Sequence, residues 1–248
     1  MTAAPLIFRL QHLVETGSTN DDVLTAAATG AAEGLVIYAD MQTGGRGRRG
    51  RSWASPPGNL YASLLLRPKD HATAGLYSFV TALALAEALA GFVEPVRIRL
   101  KWPNDVLLDG AKIAGILLET AVEPAGLALV VGFGVNLASY PQGGRYPALA
   151  LRALGFDPGR LNPLDFLQNV LAALARFHAI LLRDGFAFLR DLWLAQAVGI
   201  GEKIIVQLPD TELNGRFDSI DSSGCLLLEQ QNGKLARIAA GDVFLKHS

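Results

Sequence analysis

Between Leu76 and Phe92 the chain offers almost no polar face: Leu-Tyr-Ser-Phe-Val-Thr-Ala-Leu-Ala-Leu-Ala-Glu-Ala-Leu-Ala-Gly-Phe consists largely of helix formers and apolar side chains. Such a helix cannot lie on a surface, because one side would leave a broad apolar strip in water. The segment therefore predicts a helix buried against a sheet. Its most apolar part, Phe79 to Val93, is interrupted by Glu87 and reads as too short to span a bilayer.

Strands are available on both sides of it. Gly34 to Met41 is rich in β-branched and aromatic residues, and Leu60 to Leu66 forms a second run of this kind. Ile98 to Leu108 and Ala111 to Glu119 flank Asp109-Gly110, a strong hairpin signal. Pro103 cannot donate to a ladder and marks an edge or an irregularity. Leu127 to Leu137 is a continuous apolar run, as in a buried strand. Gly132 and Gly134 within it fit either a close approach by a ligand or another backbone, or plain packing.

Helices are predicted at Val23 to Ala28, at Leu164 to Arg183 from its amphipathic spacing, and at Phe186 to Ala197. Ser139 to Pro163 reads as loop with a short helix at Ala148 to Leu154. Beyond Val198-Gly-Ile-Gly201 come short strands with turn signals: Lys203 to Leu208, Glu212 to Asp218, Gly224 to Glu229, Leu235 to Ala239 and Val243 to Leu245. They predict a small β-barrel or sandwich. The expectation is an α+β chain with a mixed, helix-packed sheet in residues 1–197 and a small β domain in residues 198–248.

The segment with the clearest chemistry is Gln42-Thr-Gly-Gly-Arg-Gly-Arg-Arg-Gly-Arg-Ser-Trp53. Glycine lets the backbone approach a ligand closely, and guanidinium forks suit carboxylate and phosphate oxygens. A loop of this composition is expected to be mobile when empty and ordered by an arriving anion. The same residues also suit a solvated basic loop or a nucleic-acid patch. Net charge is −1, so the basic cluster is local, which weakens the nucleic-acid reading.

One cysteine, Cys225, excludes an internal disulfide and points to a reducing compartment. His12, His71, His178 and His247 show no ligand spacing with it, so no zinc cluster is expected. The start of the chain lacks the pattern of a signal peptide. A soluble, cytoplasmic protein with no membrane partner is expected.

Three polar groups interrupt the apolar framework. Ser18, Thr19 and Asn20 precede a helix and could cap it, or hold a polar ligand group there. Lys101, Asn104, Asp105 and Lys112 cluster in the hairpin, either as strand-end charges and a turn or as a site. Asn136 is alone in an apolar run.

Taken in order, Gly17-Ser-Thr-Asn20, Gln42 to Trp53, Lys101-Trp-Pro-Asn-Asp105, Lys112-Ile-Ala-Gly-Ile-Leu117 and Gly132-Phe-Gly-Val-Asn136 resemble the motifs of the biotin protein ligases. The ending, with Asn214-Gly-Arg, Gly224-Cys-Leu-Leu-Leu-Glu229 and Gly241-Asp-Val, is similar to that family's SH3-like C-terminal domain. The resemblance implies a catalytic domain like those of class II aminoacyl-tRNA synthetases and biotin-lipoate ligases. It implies activation of biotin by ATP with Mg²⁺ as biotinyl-5′-AMP, then transfer to a lysine of a biotin carboxyl carrier domain, as in acetyl-CoA carboxylase.

The resemblance also implies roles. Ser18, Thr19, Asn20 and Gln42 would meet the ureido ring, with Gly45, Gly47 and Gly115 also at biotin. Arg46 and Arg48 would close over biotin and the phosphates. Arg51, Trp53, Asn104, Gly132 and Asn136 would serve ATP or the adenylate, with Trp53 over the adenine. Lys112 would bridge carboxylate and α-phosphate, and Asp105 would help take the proton of the substrate lysine. No protein cluster would hold the metal. The Ser-Thr-Asn motif starts at Ser18, leaving no room for the winged helix of repressor members, so DNA binding is not expected; a homodimer is compatible.

Three rivals make different demands. A lipoate ligase shares the fold class and the chemistry, but the Gly-Arg run resembles the biotin branch. An octanoyl transferase needs a cysteine in the main domain, whereas Cys225 lies in the small one. An RNA-binding module would use the arginine loop and the barrel with a strong salt dependence.

Overall fold

The structure, a computed structural model, describes residues 5–143 and 147–245. His247 and the outer ends of both expected domains lie outside the described residues. In chain order the larger part contains β1 (Arg9–Thr16), α1 (Thr19–Ala28), β2 (Leu35–Gln42), β3 (Leu60–Leu66), α2 (His71–Ala90), β4 (Ile98–Lys101), β5 (Asp105–Leu108), β6 (Ala111–Glu123), β7 (Gly126–Val135), α3 (Pro163–Asp184) and α4 (Ala187–Gln196). Its seven strands lie in the order β1-β2-β3-β7-β6-β5-β4. Only β1 and β2 run parallel; the other neighbours are antiparallel, so the sheet is mixed and the fold α+β.

Alternation along the strands sorts their side chains onto two faces. Val36, Leu64, Leu66, Leu129 and Val131 join the large core under α2. Ile37, Leu65, Ala128 and Val130 face the other way and pack with Val23 and Ala27 of α1. Because both faces are covered, β3 is apolar from end to end apart from Ser63. The outer side of α2 is closed by α3 and α4. Fully buried Leu85 and Leu89 contribute about 1.5–3 kcal/mol each by removal from water.

Two features of α2 differ from the sequence reading. It starts at His71, before the predicted Leu76, because the Asp70 carboxylate accepts a hydrogen bond from the Thr73 N–H at 2.7 Å. At 20 residues it is long and apolar enough to cross a membrane, as is α3, so the expected shortness does not hold. Its residues are instead occupied by the sheet and the neighbouring helices.

The 98–108 run is two strands, with Trp102-Pro103-Asn104 turning between Lys101 and Asp105. Ser78 of α2 donates to the Pro103 carbonyl at 2.7 Å and fixes that turn. Asp109 and Gly110 take φ of 50° and 78°, the pair of positive angles that a two-residue hairpin demands. The short helix expected at 148–154 is a 3₁₀ turn over Leu151–Leu154. β1, which is not among the strands expected from the sequence, is the exposed edge strand beside β2.

β8 (Lys203–Gln207), β9 (Glu212–Ile220), β10 (Leu226–Glu229), β11 (Leu235–Ile238) and β12 (Asp242–Leu245) form a second, antiparallel sheet in the order β11-β10-β9-β8-β12. It is docked firmly. The Trp102 indole N–H donates to Gly224 O at 3.0 Å, Val198 N–H donates to Leu100 O at 2.9 Å, and the Phe79 ring packs beneath Gly224. That docking brings Gly241 and Asp242 to the arginine loop.

Candidate active site

A cavity of about 590 Å³ opens between the start of α1, strands β2, β3, β6 and β7, the Pro103 turn and the start of β12. The sequence-derived candidates Ser18, Thr19, Asn20, Gln42, Arg46, Gly47, Arg48, Arg51, Trp53, Asn104, Asp105, Lys112, Gly115, Gly132 and Asn136 all line it. Gly45 does not. It is set back under Ser55 and accepts the Trp53 N–H at 2.8 Å, so its glycine serves packing within the loop.

One end of the cavity is polar and neutral. Ser18 holds the N-cap position of α1, yet its side chain makes no capping bond. Gln42 supplies the acceptor from β2 instead: its Oε1 takes the Thr19 N–H at 2.9 Å and lies 3.2 Å from the Thr19 hydroxyl oxygen. Gln42 Nε2 donates onward to Ser55 Oγ at 3.0 Å. The Thr19 and Ser63 hydroxyls share a 2.7 Å hydrogen bond, and Ser63 donates to Asn20 Oδ1 at 2.6 Å. Asn20 Nδ2 then donates to Glu119 Oε2 at 2.6 Å. Each of these buried groups would be costly without a partner, so the network sets their orientations.

This network explains Gly132. A Cβ there would collide with Asn20 Oδ1, so the close approach is made by a side chain of the protein itself. Gly132→Ala is expected to push Asn20 out of place and to cost about 1–3 kcal/mol of stability. Urea denaturation, with an unchanged m-value, measures it.

The other end is cationic. Arg48–Gly50 forms a 3₁₀ turn in which Arg49 is left-handed, at φ 55°. Arg48 Nη1 donates to Asn104 Oδ1 and to Gly241 O, both at 3.3 Å. Arg49 and Arg51 reach opposite oxygens of Asp242, at 3.4 and 3.0 Å. Arg46 pairs with Asp21 and Glu119. Here the loop is thus held by acceptors of the protein. Burial pushes the Arg48 guanidinium and the Lys101 amine below their usual values, against the opposing pull of Asp105 and Asp242.

Lys112 Nζ stands 2.6 Å from Asp105 Oδ1 and 5.1 Å from the centre of the Trp53 ring. The indole lies across Gly115 and Gly134, where a Cβ at Gly134 would strike it. Trp53 Nε1 is buried without a hydrogen-bond partner. Asn104 is tied to β6 through Ile116, its Nδ2 donating to Ile116 O at 2.6 Å. Asn136 Nδ2 donates to Leu149 O at 3.2 Å. Cys225 is buried away from the cavity.

A neutral polar pocket beside Arg48, Lys101 and Lys112 can hold an uncharged ring at one end and bring two anions together at the other. Among the described residues, no group of three or more His, Cys, Asp and Glu is placed to hold a metal. The carboxylates lining the cavity, Asp105 and Asp242, are both ion-paired.

Several contributors carried no role in the sequence reading. Lys101 was singled out but left unassigned. Ser63 is the lone aliphatic hydroxyl in a buried strand, a signal present in the sequence. Asn59 accepts the N–H groups of Leu137, Ala138 and Ser139 at 2.8–3.0 Å and fixes the chain after β7. Asp21, Glu119 and Asp242 meet the arginines only through the fold.

Residues 16–136 match the biotin/lipoate A/B protein ligase family, and residues 199–246 match the biotin protein ligase C terminal domain. The chain is 42% identical over 238 residues to the biotin--[acetyl-CoA-carboxylase] ligase of Paracoccus denitrificans, covering 94% of this chain and 98% of that one. Identity to the protein of the same name from Mycobacterium tuberculosis is 35% over 243 residues, covering 95% and 88%. A solved structure of biotin protein ligase from Aquifex aeolicus in complex with biotin and ATP superposes with a TM-score of 0.81, at 27% identity, over 97% of this chain and 99% of that one.

Proposed function

The chain belongs to the biotin protein ligase family, and from that premise we propose how its own residues divide the work. The protein forms biotinyl-5′-AMP from biotin and ATP and transfers the biotinyl group to a biotin carboxyl carrier substrate. The observation that carries the division of labour is the continuity of the neutral pocket at α1 with the cations Arg48, Lys101 and Lys112.

The ureido ring sits among Ser18, Thr19, Asn20 and Gln42, and the hydrogen bonds through Ser63 hold the last three of these in place. The biotin carboxylate then points toward Arg46, Arg48 and Lys112. Its oxygen attacks the α-phosphorus of ATP, the bond to the β,γ-diphosphate breaks, and pyrophosphate leaves. Two anions must approach, so positioning and charge compensation carry the step. Lys112 bridges the carboxylate and an α-phosphate oxygen, while Trp53 leaves its glycine bed to cover the adenine, with Asn136 and Asn104 beside it.

In the second step a neutral carrier lysine attacks the acyl carbon and AMP leaves. Asp105, freed from Lys112 as that cation turns to the phosphate, accepts the lysine proton. Asp105 and Asp242 are ion-paired, so the ATP phosphates would hold Mg²⁺, which would supply compensation of phosphate charge. The boundary between the catalytic domain and the small C-terminal domain is placed at residue 198. The reading places the protein in the cytoplasm and invokes no DNA contact.

The test is pyrophosphate release from ATP with biotin or with lipoate. Biotin supports release and lipoate does not; equal release with both would remove the basis for assigning the neutral pocket to a ureido ring.

A further inference from the structure

Arg46 lines the cavity, yet both of its terminal nitrogens are already engaged by protein carboxylates. Nη1 donates to Asp21 Oδ2 at 2.6 Å, Nη2 donates to Asp21 Oδ1, and Nη2 also reaches Glu119 Oε2 at 3.1 Å. One cation between two carboxylates leaves a net negative group. A third carboxylate arriving from the cavity therefore gains little until one partner withdraws.

The two partners differ in how readily they withdraw. Glu119 lies within β6, and its Oε2 also accepts Asn20 Nδ2 at 2.6 Å, so moving it would disturb the polar network. Asp21 stands outside the cavity lining, and its side chain is 58% exposed. It sits in the first turn of α1, where water and the helix N-terminus both stabilise a carboxylate left alone. Asp21 is the partner that can let go.

We propose that Asp21 is a positioning residue that parks the Arg46 guanidinium in the empty protein and yields it to the biotin carboxylate or the acyl-phosphate. The loop is then ordered before ligand arrives, at the cost of a competing internal anion. This rests on the reading of Arg46 as an anion contact. An ordinary surface ion pair predicts the opposite: without Asp21 the arginine would be less ordered and binding would weaken or stay the same.

Equilibrium binding of biotin, followed by titration calorimetry, separates the two. Asp21→Asn is expected to tighten biotin about three- to fivefold, the scale of a part-exposed pair. The kcat for pyrophosphate release stays unchanged, and Asp21→Glu returns affinity to the native value. With Arg46→Ala in the background, Asp21→Asn has no effect. Weaker or unchanged binding by Asp21→Asn overturns the proposal, as does the same tightening in the absence of Arg46. Native affinity in Arg46→Ala alone overturns the underlying reading of Arg46, and the parking role with it.

Discussion

Lys112→Ala is expected to stop pyrophosphate formation from biotin and ATP, lowering kcat/KM by about a thousandfold, on the scale of removing one preorganised electrostatic contact from a shielded site. The side chain is well placed for this effect. Lys112 lines the cavity, its ammonium 2.6 Å from Asp105 Oδ1 and 5.1 Å from the Trp53 ring centre. Removing it has two consequences: the bridge between carboxylate and α-phosphate is lost, and Asp105 loses its direct ion-pair partner beside two more anions. The double variant Lys112→Ala with Asp105→Asn separates them. If lost bridging dominates, the double variant stays as inactive as the single one; recovery would assign the loss to the uncovered Asp105. The thermal transition should move little, because Lys112 supports no part of the main core. Normal pyrophosphate release by Lys112→Ala would remove it from the chemistry.

Arg48→Ala should act later, on retention of the intermediate. Arg48 joins the loop to Asn104 Oδ1 and Gly241 O, and so links the β4–β5 turn to the second sheet. A hydrogen bond to a charged group contributes about 1.5–3 kcal/mol, so losing these contacts and the anion contact should speed adenylate release by roughly a hundredfold. The fold should persist. Escaped biotinyl-5′-AMP would then acylate lysines on bystander proteins, while transfer to the carrier falls. Release is followed by chasing preformed labelled adenylate with excess cold ligand. A native release rate in Arg48→Ala would show that the loop does not hold the intermediate through this residue.

The parts of the fold that could be read from the chain are those whose burial leaves a continuous signal. Leu60 to Leu66 is legible because α1 and α2 cover both faces of β3, which makes the run apolar apart from Ser63. The Asp109-Gly110 turn was legible because its two positive φ angles select those residue types. β1 was not, since an exposed edge strand carries little apolar alternation. The true start of α2 was hidden because it is set by one Asp70 hydrogen bond and not by periodicity.

The site divides in the same way. Ser18, Thr19, Asn20, Lys112 and Asn136 stand out as polar groups beside apolar runs, whereas Gln42 is marked only by the arginine–glycine segment it opens and by the family resemblance. Glycines 132 and 134 were visible as anomalies, but their cause was not: one makes room for Asn20 and the other for Trp53. The partners of the arginines left no local trace. Arg46 meets Asp21 and Glu119 across 25 and 73 residues of sequence, and Arg49 meets Asp242 across 193. Only the mixed sheet and the docked second sheet bring those charges together.

The central claim is that one cavity activates biotin and then delivers it to a lysine. It is tested most directly by incubating the protein with biotin, ATP, Mg²⁺ and an isolated biotin carboxyl carrier domain, and by following carrier mass, pyrophosphate and AMP together. One biotinyl group is expected on the target lysine, with pyrophosphate and AMP formed in equal amounts and no labelling of a carrier whose target lysine is replaced by arginine. A carrier that stays unmodified, or one that is labelled without ATP, would contradict it.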